Sequence, residues 1–352
     1  MFLKTIRYYI REIKFVISNF KKYKSVMGKG RYKLLSCMRV VLLDEDWIEI
    51  NGMQYFGRMT GSRLSSKIVN VFNKINLLKN HKSRVNFYQA MYIANNDNRE
   101  RDVKLFSFDK RKILTICASK EDYDKQVLIF NKLSKSHNMP SIFSIDEYPN
   151  AYEMPMIDLE ERPMAGAVLH EISHATALRA DNAQKNSVKM VIEAEYDSVE
   201  INEILKKLAA YIDSTLLQWD IPLSTQHGDL SMDNLLYGEA DGRHGFWWID
   251  WEHIGDRIFF YDYFFYILNA AKCSNHLEAL ESYFSGDSDD GVKHMFNAFG
   301  CVFDEKYRLG YFLVASICIL KERVCCLGHL ETLKEYYEFI KINVIQTLEG
   351  KA

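Results

Sequence analysis

The stretch Gln226-His227-Gly228-Asp229-Leu230-Ser231-Met232-Asp233-Asn234-Leu235-Leu236-Tyr237, followed by Phe246-Trp247-Trp248-Ile249-Asp250-Trp251-Glu252, decides how this chain is read. It forms a short β-rich piece, residues 226–252, between two blocks of helical periodicity. Its polar residues are those that also build ordinary turns. Asp and Asn hydrogen-bond their own backbone, so Asp229, Asp233 and Asn234 taken singly read as turn formers and Asp250 as a strand-end residue. Taken together the reading changes, because an H-G-D-x-x-x-x-N segment and an I-D-W-E segment occur in order within one short piece of chain.

Working outward, the chain looks helical for about sixty residues after Pro163 (HEISHATALRA, then SVEINEILKKLAAYIDSTLLQWD) and again from Phe264 to the end, with an interruption near GDSDDG. Upstream, FYQAMYIA, the polar turn NNDNRER, VKLFSFD, the charged turn KRK and ILTICAS predict three antiparallel strands. A helix follows, marked by Val127, Phe130 and Leu133 and closed before Pro140. MPSIFSI and YEMPMIDL add two strands, and a hairpin of Arg39 to Leu43 with Trp47 to Ile50 is expected earlier. The predicted organisation is an N-terminal extension over 1–84, a β-rich lobe over 85–163 and a helical lobe over 164–352.

With 352 residues, 48% hydrophobic and 26% charged, the chain has globular composition and length for one large domain or two lobes, which excludes wholesale disorder. No apolar run approaches a membrane span, the longest being Tyr311 to Leu320. Seven cysteines, an odd number without a C-x-x-C pair, read as reduced thiols of a cytoplasmic protein. The net charge of −2 conceals a division, since residues 1–35 carry +9 and the rest −11. An acidic body argues against nucleic acid as the main ligand. In the basic segment Phe2, Leu3, Ile6, Tyr9, Ile10, Ile13, Val16, Ile17 and Phe20 share one helical face. Two destinations fit that face: peripheral contact with an anionic membrane, at its inner side, or the protein's own body.

On the two segments together, the chain resembles the aminoglycoside phosphotransferase and choline kinase branch of the kinase-like superfamily, over roughly residues 85–345. The resemblance implies a bilobal protein-kinase-like α+β fold: a small antiparallel β-sheet N-lobe with one main helix that binds nucleotide, and a mainly helical C-lobe that binds the acceptor. Residues 1–84, with their basic helix, stand outside it as an extension. It also implies an ATP-dependent phosphotransferase, with GTP the alternative donor, that moves the γ-phosphate to a hydroxyl of a small molecule with Mg²⁺. Carried over by position, Asp229 accepts the hydroxyl proton, Asn234 and Asp250 hold the metal, His227 steadies the loop by hydrogen bonding, and Asp262 in FFYDYFFYI braces it. These residue types suit the chemistry, because phosphoryl transfer needs positioning and charge neutralisation more than covalent participation. A few hard oxygen ligands suit a Mg²⁺ that keeps water and phosphate oxygens in its shell. H-G-D in place of H-R-D, I-D-W-E in place of D-F-G and the lack of A-P-E speak against protein substrates.

The nucleotide half of the pattern departs from the resemblance. Thr115 of ILTICAS stands where a phosphate-binding lysine is expected, leaving Lys112 and Lys120 at either end as candidate cofactor-binding residues, and Gln126 stands where a partner glutamate is expected. NNDNRER has no glycine, although Asn adopts some positive-φ conformations, and its Arg99 and Arg101 are further candidate cations. These departures keep open a second class, a catalytically silent kinase-like binding or scaffold protein. A third comes from His170, Glu171 and His174, which spell the H-E-x-x-H of zinc hydrolases but fall where the resemblance puts the first long C-lobe helix. Acceptor identity is not written in these motifs. The acidic body, including Glu278, Glu281, Asp287, Asp289 and Asp290, suits a cationic acceptor such as an aminoglycoside or amino alcohol. The basic helix suits a lipid-linked or surface-polysaccharide sugar, and a sugar hydroxyl is the preferred expectation.

Overall fold

A computed structural model describes residues 2–35, 37, 39–43, 63–75, 77–80, 88–93, 102–145, 148–180, 184–193 and 196–349. The chain divides into two units, the first Met1–Leu133, Met139–Glu160 and Gly238–Gly245, the second Ser134–Asn138, Glu161–Tyr237 and Phe246–Ala352. The fold is α+β, with a β-rich first unit and a mainly helical second one.

The first unit is built on an antiparallel sheet of β1 (Gly30–Leu34), β2 (Val40–Leu43), β3 (Lys79–Asn80), β4 (Ala90–Ile93), β5 (Val103–Ser107), β6 (Lys112–Ile116), β7 (Phe143–Ser144) and β8 (Ala151–Pro155), in the order β3-β1-β2-β4-β5-β6-β8-β7. The strands expected from FYQAMYIA, VKLFSFD and ILTICAS are β4, β5 and β6. The KRK turn sets the β5–β6 register, so that Lys104 faces Thr115 and Ser107 faces Lys112. The helix Lys120–Leu133 starts on a reciprocal cap: Asp122 N–H donates to Ser119 Oγ (3.1 Å), and the Ser119 hydroxyl to Asp122 Oδ2 (2.6 Å).

Residues that the sequence reading set apart as an extension supply strands of this same sheet. Val40–Leu43 is a fully buried strand, as its unbroken apolar run requires, but it pairs with Gly30–Leu34. Trp47 to Ile50, its expected hairpin partner, lie outside the described residues, as does NNDNRER.

The basic helix Phe2–Tyr23 forms as its periodicity predicts, and its destination corrects one expectation. Val16, Phe20 and Tyr23 are buried in one core with the sheet strands, and Tyr9, Ile13 and Ile17 pack against it. Phe20 meets Tyr32 of β1 edge-on, with centroids 4.9 Å apart. Asn80 of β3 ties the chain after the helix by donating to the carbonyls of Lys24, Met27 and Gly28. From Tyr9 onward, Ile10 excepted, the apolar face is thus occupied by the protein's own core, which removes the ground for peripheral membrane contact through that part of the helix. No described helix is long and apolar enough to cross a membrane.

In the second unit, β11 (Asp220–Gln226) lies between β10 (Gln184–Ser187) and β14 (Gly255–Ile258). The expected sixty-residue helical block is therefore interrupted: Gln184–Ser187 pairs along the edge of β11, where backbone bonding outweighs helix propensity. Between β11 and β14 runs the hairpin of β12 (Leu235–Ala240) and β13 (Arg243–Trp248), closed by Asp241 and Gly242 with φ of 52° and 68°. This is the two-residue turn that an Asp-Gly pair favours. β9 (Asp158–Leu159) pairs with β12 at Gly238 and Glu239.

Helices Ala165–Ala177, Val199–Ala209, Tyr261–Cys273, Asp289–Ala298 and Arg308–Arg323 enclose an aromatic core in which Phe260 and Phe296 stack at 5.6 Å and Phe296 meets Tyr311 at 4.9 Å. The described cysteines 37, 117, 273, 301, 318 and 325 are free.

Because Phe20 is buried against the sheet, Phe20→Ala is expected to cost about 3–5 kcal/mol by leaving a cavity. Denaturant unfolding of the whole protein checks this, and an unchanged midpoint would mean that the helix does not contribute to the core.

Candidate active site

The two sequence segments meet because of the hairpin. Its register puts residue 234 opposite residue 249, and Ile249 N–H donates to Asn234 O at 3.0 Å. The end of H-G-D-x-x-x-x-N and the start of I-D-W-E are thereby adjacent, with Asp250 the next residue along.

The loop from β11 is held from beneath by one carboxylate. Asp262 Oδ2 accepts the N–H of His227 (2.7 Å) and Oδ1 that of Gly228 (2.9 Å), while its own N–H donates to Gln226 Oε1 (3.2 Å). Asp262 is fully buried in the Tyr261–Cys273 helix, a position tolerable for a charge only when it is paired. The pairing comes from Arg179, whose Nη1 lies 3.3 Å from Asp262 Oδ2 and donates to Thr225 O at 2.8 Å. Two N–H groups aimed at one carboxylate require a sharp bend, and Gly228 supplies it with φ of +81°. A Cβ there would stand 2.4 Å from His253 O.

His227 is buried and makes two bonds, Nε2 to Ile249 O at 2.8 Å and Nδ1 to Asp229 N–H at 3.3 Å. With Nε2 as donor and Nδ1 as acceptor, the ring is neutral. Burial pushes its pKa below the ordinary value of 6.5, against the pull of Asp262. His253, although exposed, is also pushed down, first by partial desolvation and then by the nearby Arg323 cation.

Asp229 is engaged at both oxygens. Asn234 Nδ2 donates to Asp229 Oδ2 (3.2 Å) and to its main-chain O (2.8 Å), and Arg323 Nη2 lies 3.1 Å from Oδ1. Arg323 also donates to Gly228 O. Its neighbour Glu322 accepts from Arg257 Nε at 2.7 Å. Burial pushes the Glu322 carboxyl up, and the Arg257 bond more than reverses this and holds it below the usual carboxylate value.

The donor set suits a hard cation. Asn234 spends its amide nitrogen on Asp229, which leaves Oδ1 without a donor among the described residues, and Asp250, exposed at φ 65°, accepts no hydrogen bond among them. One carboxylate and one carboxamide oxygen at the mouth of a hairpin match the few oxygen ligands that Mg²⁺ takes from a protein.

The other sequence candidates lie elsewhere. Lys112 pairs with Glu153 of β8 (2.9 Å) and Lys120 with Asp124 one helical turn on (2.7 Å), both within the first unit. Thr115 is buried and Gln126 half-buried, while Arg99 and Arg101 lie outside the described residues. Lys104, which the sequence reading passed over, stands opposite Thr115 across the strand pair, and counting back from the KRK turn would have found it. Glu171 accepts from Trp248 Nε1 (3.4 Å), His174 stacks on His294 (6.0 Å), and among the described residues no three His, Cys, Asp or Glu converge on a metal position. H-E-x-x-H is therefore a helix face. Arg179 and Arg323 were also missed; one comes from the turn after the Ala165–Ala177 helix and the other from the end of the Arg308–Arg323 helix, with no spacing to announce them.

No protein-family model and no curated protein matches the chain. Solved structures do. A choline kinase from Streptococcus pneumoniae is 11% identical, with a TM-score of 0.39, over 70% of this chain and 93% of that one. The GDP complex of aminoglycoside 2'-phosphotransferase-IIIa is 12% identical, with a TM-score of 0.44, over 73% and 93%. A glucosamine kinase bound to glucosamine, ADP and inorganic phosphate is 12% identical, with a TM-score of 0.43, over 74% and 83%. These neighbours are small-molecule kinases. Likeness at this level assigns no substrate.

Two outcomes follow from the loop. Gly228→Ala is expected to destabilise by about 2 kcal/mol or more, from positive φ and the approach of His253 O, read as a lowered unfolding midpoint. Since the buried His227 titrates below 6.5 when folded, the unfolded chain takes up the proton first on acidification. Stability is then fully present above pH 6.5 and is lost as pH falls through that value towards the lower folded pKa, with His253 adding in the same direction. His227→Gln should shallow this slope in pH-dependent unfolding, and an unaltered slope would remove His227 as its source.

Proposed function

We propose that the protein is a phosphotransferase that moves the γ-phosphate of ATP, with GTP the alternative donor, to a hydroxyl of a small molecule. The observation that carries this reading is the fixed carboxylate of Asp229, bonded to Asn234 on a loop clamped by Asp262 and joined through the hairpin to Asp250. Asp229 Oδ takes the proton of the acceptor hydroxyl and aims its oxygen at the phosphorus; His227, neutral and bonded at both nitrogens, holds the loop rather than the proton. Asn234 Oδ1 and the Asp250 carboxylate would hold Mg²⁺, which when bound supplies neutralising charge for the phosphates. Lys104, opposite Thr115, is a further cation for the nucleotide side.

The second reading, a catalytically silent kinase-like scaffold, draws on Thr115, which is buried where a lysine is expected, and on Lys112 and Lys120, which are already paired. The two readings part on substitution. Asp229→Asn is expected to lower kcat by about two to four orders of magnitude while nucleotide still raises the unfolding midpoint. Asp250→Ala should instead weaken the magnesium-dependent part of that midpoint shift as well as turnover. Full activity in Asp229→Asn would end its assignment as proton acceptor, and a midpoint indifferent to MgATP in the parent protein would favour the scaffold.

A further inference from the structure

The ion pair at Asp229 is a feature that phosphoryl transfer to an arbitrary alcohol does not require. Arg323 comes from the last turn of the Arg308–Arg323 helix, and its guanidinium lies over the Phe265 ring, 5.5 Å from the centroid, so that ring contact and two acceptors fix its position. Its side chain keeps 24% of its surface in solvent, while its Nε is buried without a hydrogen-bond partner. The protein therefore does not saturate this cation. The carboxylates around it are already matched, Glu322 with Arg257 and Asp262 with Arg179. Asp250 has no cationic partner among the described residues.

An acceptor that brings its hydroxyl to Asp229 brings its neighbouring substituents to Arg323. An ammonium group there meets a guanidinium and finds its would-be partner carboxylate taken. A carboxylate or phosphate oxygen meets a planar donor suited to it. Within the acidic surface, Asp289 is already bonded to Arg308 at 2.7 Å.

We propose that Arg323 selects the acceptor, so that the site takes an alcohol bearing an oxyanion, carboxylate or phosphate, beside the reacting hydroxyl and disfavours amino alcohols and aminoglycosides. This rests on the phosphotransferase reading of Asp229 and narrows it. In the transfer step the acceptor oxygen forms its bond to the γ-phosphorus, the bond from that phosphorus to the β-γ bridging oxygen breaks and ADP leaves with the electron pair, and the hydroxyl proton passes to Asp229. Arg323 then loses its counter-ion, and the acceptor's oxyanion takes that place.

The test uses the full chain with MgATP and four probes: glucuronate, glycerol phosphate, glucose and glucosamine. Turnover and calorimetric binding are both measured, in the parent protein, Arg323→Met and Arg323→Lys. At least one of the two anions should be favoured over glucosamine by about ten- to hundredfold, as expected for a charge-assisted contact. Which anion is favoured distinguishes a carboxylate from a phosphate. Arg323→Met should bring that ratio close to one, and Arg323→Lys should keep part of it. A preference for glucosamine, a ratio unchanged in Arg323→Met, or failure of both anions to bind at millimolar concentration overturns the proposal. Turnover without charge preference removes the role of Arg323 and leaves the phosphotransferase reading standing. Charge-selective binding lost in Arg323→Met, with no turnover of any probe, does the reverse.

Discussion

One buried carboxylate, Asp262, carries the loop on which the rest of the site stands. It sits in a helix whose surrounding residues are almost all apolar, and it accepts the main-chain N–H groups of His227 and Gly228. Burial of an unpaired charge at such a position would be prohibitive, so Arg179 is as much a part of the loop as the loop itself. Breaking a pair of this kind by removing one partner costs about 3–5 kcal/mol, because the remaining charge stays buried. Backbone direction at Gly228 and the bearing of Asp229 follow from that contact, while the tautomer of His227 is set by Ile249 O and the Asp229 N–H.

Local patterns were legible in the sequence where a local cause set them. Strand alternation and turn residues gave β4, β5 and β6, and the periodicity of residues 2–23 gave a helix. The hairpin between the two segments has an equally local cause, an Asp241-Gly242 pair that favours a two-residue turn, but it went unread in the sequence. Less legible were the partners. The sequence allowed the basic helix two destinations, and only tertiary packing of Val16, Phe20 and Tyr23 chose between them. Gln184–Ser187 became a strand because β11 offered an edge, which no window of sequence around residue 184 records.

The same division runs through the site. Asp229, Asn234 and Asp250 share a short segment with recognisable spacing, whereas Arg179, in the turn after one helix, and Arg323, at the end of another, lie far from it along the chain and carry no motif. Composition reaches no further into the site for the same reason. An excess of acidic residues describes the whole surface, but the charge met by a bound molecule depends on which acids are already tied to arginines, and around Asp229 most of them are.

The hairpin of β12 and β13 has a consequence for how this chain can change length. Residues 234 and 249 face each other because the arms are equal on either side of Asp241 and Gly242. Adding one residue to a single arm shifts the pairing by one place and turns every following side chain to the other face. Residues added in matched pairs near the tip lengthen both arms and leave Asn234 beside Ile249. Sequence distance between the two segments is thus free to vary only in even steps, unless a bulge absorbs the odd one. Insertions of one and of two residues at the tip should therefore differ far more in their effect on the site than their sizes suggest.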